Sequence, residues 1–70
     1  MSKKQSLRTW RRFRNLTQQE LADEIGVSMM TISLYESGAL EKASYKTIVA
    51  LAKALDISLE QLEVKDNEGI

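Results

Sequence analysis

Seventy residues build one domain, and a core that small is marginal unless its helices pack economically or a partner adds surface. Cysteine and histidine are absent, which removes disulfides, thiolate or imidazole metal sites and the usual nucleophile and base pairs, so no catalytic residue, metal or cofactor is expected. Ten Lys and Arg balance ten Asp and Glu, but residues 1–14 hold Lys3, Lys4, Arg8, Arg11, Arg12 and Arg14 without an acid, and residues 15–70 hold four lysines against all ten acids.

No apolar run approaches the ~18 residues that cross a bilayer. The basic start has no apolar stretch behind it, so a cytoplasmic chain without membrane contact is expected. Proline is absent and the glycines are Gly26, Gly38 and Gly69, which reads as helices punctuated by short turns. Residues 1–5 form a basic arm. The first helix is predicted from Ser6 to Asn15, with Leu7, Trp10 and Arg14 at helical spacing and Arg11 beside them. Its basic face meets phosphate or an acidic protein, or is a solvated face. The spacing of Trp10 with Leu7 assigns it to the core, whereas Phe13 falls off the stripe and is either packed under the C-terminal segment or exposed on a partner surface.

The second helix has a written start. Thr17 caps while Glu20 reaches back, and Leu16 staples onto Leu21, so the helix begins at Gln18. Leu21, Ala22 and Ile25 form its apolar face, and Gly26 stops it where a left-handed residue is needed. Eleven residues after Thr17, Ser28 repeats the cap, with Val27 and Ile32 as the staple. The third helix spans roughly Ser28 to Glu36 and Gly38 closes it, after which ALEKA is a loop without strong periodicity. A fourth helix restarts near Ser44 with Ile48, Leu51, Ala52 and Leu55 inward. Ser58 and Gln61, flanked by Ile57 and Leu62, open a short fifth. The domain is therefore residues 6–63, and residues 64–70 are a fraying tail. The acid pairs Asp23 with Glu24 and Glu60 with Glu63 lie on outward helix faces and read as solvated charge.

The informative stretch is QQELADEIGVSMMTISLYES. Small Ala22 lets two helix axes approach, Gly26 turns the chain, and Ile32 with Tyr35 anchors the second helix so that its opposite face points outward. Over about Leu7 to Leu62, and most closely in LTQQELADEIGVS, the sequence resembles the lambdoid phage repressor and Cro group of helix-turn-helix regulators, also called the xenobiotic response element family. The resemblance implies an all-α, compact five-helix bundle. It places helix three in the major groove of double-stranded DNA, with Ser28, Met29, Met30, Ser33 and Leu34 toward base edges and Thr31 at the rim. The start of helix two then faces phosphate, where unpaired N–H groups and the Gln18 amide would satisfy it.

The sequence departs from that family in two places. Met29 and Met30 stand where hydrogen-bonding side chains are usual, and they offer contact with thymine methyl groups instead, unless one of them fills the core. Ala39, Leu40 and Glu41 replace a commonly basic loop, leaving Lys42 and Lys46 as phosphate contacts or as plain solvated lysines, with Ser44 and Tyr45 as further donors. The family also implies an Arg11–Glu36 ion pair bracing helix one against the end of helix three. The function implied is a sequence-specific DNA-binding regulator of repressor type, paired as a homodimer on DNA through helix five, the loop near Leu40 or the tail. The competing expectation is a protein-interaction module that uses Met29, Met30 and Leu34, and no enzyme is expected.

Overall fold

The computed structural model describes residues 4–64, so residues 1–3 of the expected arm and 65–70 of the expected tail lie outside the described residues. Four α-helices follow in order: α1 (Leu7–Phe13), α2 (Gln18–Ile25), α3 (Met29–Leu34) and α4 (Tyr45–Leu55). A wide turn over Tyr35–Ala39 and tight 3₁₀ turns over Leu40–Lys42 and Leu59–Gln61 complete the chain path.

Local chemistry explains each start. Ser6, Thr17, Ser28 and Ser44 sit in extended conformation, and each side-chain oxygen accepts the N–H three residues on. At Thr17 the box closes both ways, with Glu20 N–H donating to Thr17 Oγ1 at 3.0 Å and Thr17 N–H to Glu20 Oε1 at 2.8 Å.

Three segments end by one device. Asn15 (φ 60°), Gly26 (φ 80°) and Asp56 (φ 59°) are left-handed, and the next residue of each, Leu16, Val27 or Ile57, donates its N–H to a carbonyl five positions back. Those apolar residues pack on the core and a hydroxyl residue follows each, so stopping one helix and capping the next is a single three-residue unit. The first helix therefore ends at Phe13, short of the expected Asn15.

Two further differences from the sequence reading have one local and one nonlocal cause. The α-helical part of the third segment stops at Leu34 instead of Glu36, because Gly38 at φ 120° opens the last turn while Ser37 Oγ donates to the Ser33 carbonyl. No fifth α-helix forms among the described residues. After Leu59–Gln61 the chain becomes extended and Glu63 N–H donates to the Gln5 carbonyl (2.8 Å), while Gln5 N–H donates to that of Gln61 (2.9 Å). Gln5, grouped with the basic arm by sequence, is thus tied into the domain.

Leu7, Leu21, Ala22, Ile32, Leu40, Leu51, Leu55 and Leu62 form the buried cluster, ringed by Trp10, Val27, Tyr35, Ile48 and Ile57 among others. Each fully buried leucine or isoleucine contributes about 2 kcal/mol of hydrophobic stabilisation. Ala22 is fully buried, and its small side chain lets α2 and α3 approach closely. Leu40 is buried as well, so the expected featureless loop is pinned at its middle and that side chain does not offer itself to a partner.

Candidate nucleic-acid interface

The helix α3 turns Ile32 fully into the core while its other face stays in solvent. Met29, Met30 and Leu34 are 47%, 69% and 55% exposed, so neither methionine fills the core. Ser33 is half-buried between them and no charged residue occurs from Met29 to Leu34. Not every polar residue of this helix is free. Ser28 Oγ accepts Thr31 N–H at 3.2 Å and shares a hydrogen bond with Thr31 Oγ1 at 3.0 Å, which commits both hydroxyls to the cap.

Behind α3, one carboxylate gathers donors from three places. The Glu36 side chain is 0% exposed, and Arg11 Nε donates to its Oε2 at 2.6 Å. Its Oε1 accepts from Gln18 Nε2 at 3.0 Å, from Arg8 Nε at 3.3 Å and from Arg11 Nη2 at 3.3 Å. Arg11 Nη1 also donates to the Leu16 carbonyl at 2.7 Å, so the guanidinium ties α1, the start of α2 and the end of the α3 segment together. Burial pushes the Glu36 carboxyl up, but hydrogen bonds from Arg11, Gln18 and Arg8 with the Arg11 charge outweigh it and hold the group below its ordinary value. Gln18, expected from sequence at phosphate, spends one amide N–H on this carboxylate and keeps the other N–H and its carbonyl oxygen.

Lys42, Ser44, Tyr45 and Lys46 are exposed around the start of α4. The Ser44 hydroxyl is occupied, since Oγ accepts Thr47 N–H at 3.2 Å and pairs with Thr47 Oγ1 at 3.0 Å. Neither lysine forms an ion pair among the described residues.

Sequence reasoning missed Arg8 as a Glu36 ligand and placed Arg14 on the stripe of the first helix without its partners. Arg14 Nε donates to the Leu55 carbonyl at 2.7 Å and Nη2 to that of Asp56 at 3.1 Å, placing a cation on the C-terminal end of α4 where orphan carbonyls and the helix dipole favour it. Trp10 packs on the core and its Nε1 donates to the Gln61 carbonyl at 2.8 Å. Phe13 is 66% exposed, edge-on to Trp10 with ring centroids 5.9 Å apart and with the Arg14 guanidinium 5.2 Å from its own centroid. A cavity of about 110 Å³ lies by Tyr35, Leu40 and Val64, and the larger depressions, by Leu16 and Glu24 and by Ile25 and Lys53, are shallow and open to solvent. The exposed stripe of α3 lies outside these depressions, with Met29, Met30 and Leu34 in solvent over buried Ile32.

A close pair of helices is joined by a left-handed glycine, and the sequence matches the helix-turn-helix family over residues 7–62. The chain belongs to that family. Among its relatives, the cryptic phage CTXphi transcriptional repressor RstR of Vibrio cholerae is 39% identical over 62 residues, covering 89% of this chain and 54% of the relative. The uncharacterized HTH-type transcriptional regulator YqaE of Bacillus subtilis is 36% identical over 58 residues, covering 83% of this chain and 49% of the relative. MJ0272 of Methanocaldococcus jannaschii, also an uncharacterized HTH-type transcriptional regulator, is 32% identical over 65 residues, 93% of this chain and 97% of the relative. This helix-turn-helix chain thus spans about half the length of the first two. No solved structure gives a significant match to it.

Within the helix-turn-helix frame the residues have clear positions. α2, the glycine turn and α3 form the unit itself, α1 and Glu36 brace it from behind, and the start of α4 extends the surface beyond the wide turn. No helix among the described residues is long and apolar enough to cross a membrane.

Proposed function

We propose that this chain is a sequence-specific double-stranded DNA-binding transcriptional regulator of repressor type, acting in the cytoplasm by laying α3 in the major groove and occupying an operator. The observation that carries this reading is the α3 ridge, exposed on one side and held rigid on the other by Ile32 and the Glu36 cluster. Met29, Met30, Ser33 and Leu34 face the base edges, with Ser28 and Thr31 at the rim as far as their capping bonds allow. Gln18 retains a free amide N–H beside the unpaired backbone N–H groups that open α2, and this combination suits a phosphate oxygen. Lys42, Tyr45 and Lys46, with Ser44, meet the backbone farther along. Residues 6–63, extended by Gln5 and Val64, act as the reading domain.

One such domain touches few base pairs, so two copies on half-sites about one helical turn apart give useful affinity. RstR is named a transcriptional repressor, which favours repression over activation. The chain is read as a non-enzyme, since catalysis is not the usual work of this family. An apolar ridge and zero net charge also suit a protein-interaction module, and the two readings part on DNA binding.

Lys46→Ala and Gln18→Ala test the backbone roles. Each is expected to weaken binding to every duplex by a similar factor, read by fluorescence anisotropy on unrelated sequences. A change in sequence preference without a general loss would move these residues from the backbone to the bases.

A further inference from the structure

At about 3.6 residues per turn, Met29, Ser33, Met30 and Leu34 lie within about 140° of one another around the α3 axis, with Ile32 and Tyr35 on the far side. The outward ridge is therefore three apolar side chains around one serine. Its flanks lack a free carboxylate at the helix end, because Glu36 is turned fully inward and neutralised by Arg8 and Arg11. An apolar ridge without acids of its own, followed in the chain by exposed Glu41, Lys42 and Lys46 with a net positive charge, fits a polyanion whose groove floor is apolar at chosen points better than it fits an acidic or a purely oily partner.

Taking the DNA-binding reading as its basis, we infer that Met29, Met30 and Leu34 make this a reader of thymine C5-methyl groups, so that its sites carry A·T pairs with those methyls beneath the ridge. Every base pair presents acceptors and a donor in the major groove that Met and Leu cannot satisfy, so covering any edge with these side chains strips its water at a cost. At G·C nothing is returned, whereas at A·T the thymine methyl supplies an apolar contact that offsets part of that cost. The thymine methyl is the apolar feature of the same groove, and the unbranched methionine side chains adjust to its position. Selectivity then comes from shape and methyl packing, with hydrogen bonding left to Ser33.

The probe is a duplex enriched from a random-sequence pool by the chain itself, measured by fluorescence anisotropy with each thymine replaced in turn by deoxyuridine, which deletes the methyl and leaves base pairing unchanged. Affinity is expected to fall about fourfold at each contacted thymine, the loss that corresponds to one buried CH₂. Met30→Ala, at a 69% exposed position that does not hold the fold, is expected to erase the effect at its own thymine, so that thymine and deoxyuridine duplexes bind alike there. Salt-dependent binding with no deoxyuridine effect at any position would overturn methyl reading while leaving the DNA-binding reading intact. Absence of binding to any duplex, from a chain whose circular dichroism shows it folded, would overturn both.

Discussion

Glu36 is the residue on which the geometry of the ridge turns. Its carboxylate is out of water and is acceptable there because Arg11, Gln18 and Arg8 supply four hydrogen bonds. A buried pair of this kind adds little net stability when intact, yet removing one partner strands the other. Glu36→Ala is therefore expected to cost about 3 kcal/mol and to lower the thermal midpoint by about 20 °C for a domain of this size, which a calorimetric melt reads directly. The sign of the pH effect follows from the lowered carboxyl. With the folded value below the ordinary 4.5, the stability that Glu36 contributes is present above that value and is lost as pH falls through the lowered one. In urea unfolding, the stability gap between the wild-type chain and Glu36→Gln should narrow between neutral pH and about pH 3; a constant gap would remove the ionised carboxylate from the explanation. The pairing of Arg11 with Glu36 was legible only through the family resemblance. Arg8 and Gln18, 28 and 18 residues from Glu36, converge on it through tertiary placement that no local pattern encodes.

At the scale of elements, the fold was legible wherever its signals are local. The caps at Thr17, Ser28 and Ser58 are written in hydroxyl residues a few positions ahead of apolar ones, and they form as read, while those at Ser6 and Ser44 form without having been read. The left-handed stop was recognised at Gly26 and overlooked at Asn15 and Asp56, because only glycine announces that conformation by its lack of a Cβ. Substitutions at two of these stops should therefore act in opposite directions. Nothing lies within 4 Å of a Cβ built on Gly26, so Gly26→Ala meets conformational strain alone and is expected to destabilise by about 1 kcal/mol. Asp56→Gly relieves the same strain and withdraws a negative charge from the end of α4, for an expected gain of about 0.5 kcal/mol. Chemical denaturation of both variants checks the pair, and equal signs would mean that the side chains, not the backbone angle, decide. The short fifth helix was misread for a nonlocal reason. Its capping box is present, but pairing of residues 61–63 with Gln5 pulls the chain into extended form before an α-helical turn can close.

For the whole molecule, the lopsided charge is partly an internal matter. Of the cations in residues 1–14, Arg8 and Arg11 neutralise Glu36 and Arg14 caps α4, leaving Lys4 and Arg12 without an ion pair among the described residues. The basic first helix is thus mainly a brace, and the phosphate-facing cations are expected at Lys42 and Lys46 instead. The ridge itself was legible in the sequence, since Ile32 and Tyr35 fix which face is buried and so which is free. Central to the account is that a rigid, outward α3 ridge with cationic flanks binds duplex DNA through its backbone as well as its bases. Titration of duplex DNA at two salt concentrations tests that most directly. With two to four phosphates neutralised per domain, log affinity is expected to fall linearly with log salt with a slope of roughly −2 to −4, shallower in Lys46→Ala by about 1. A slope near zero, or no binding at low salt, would contradict the account.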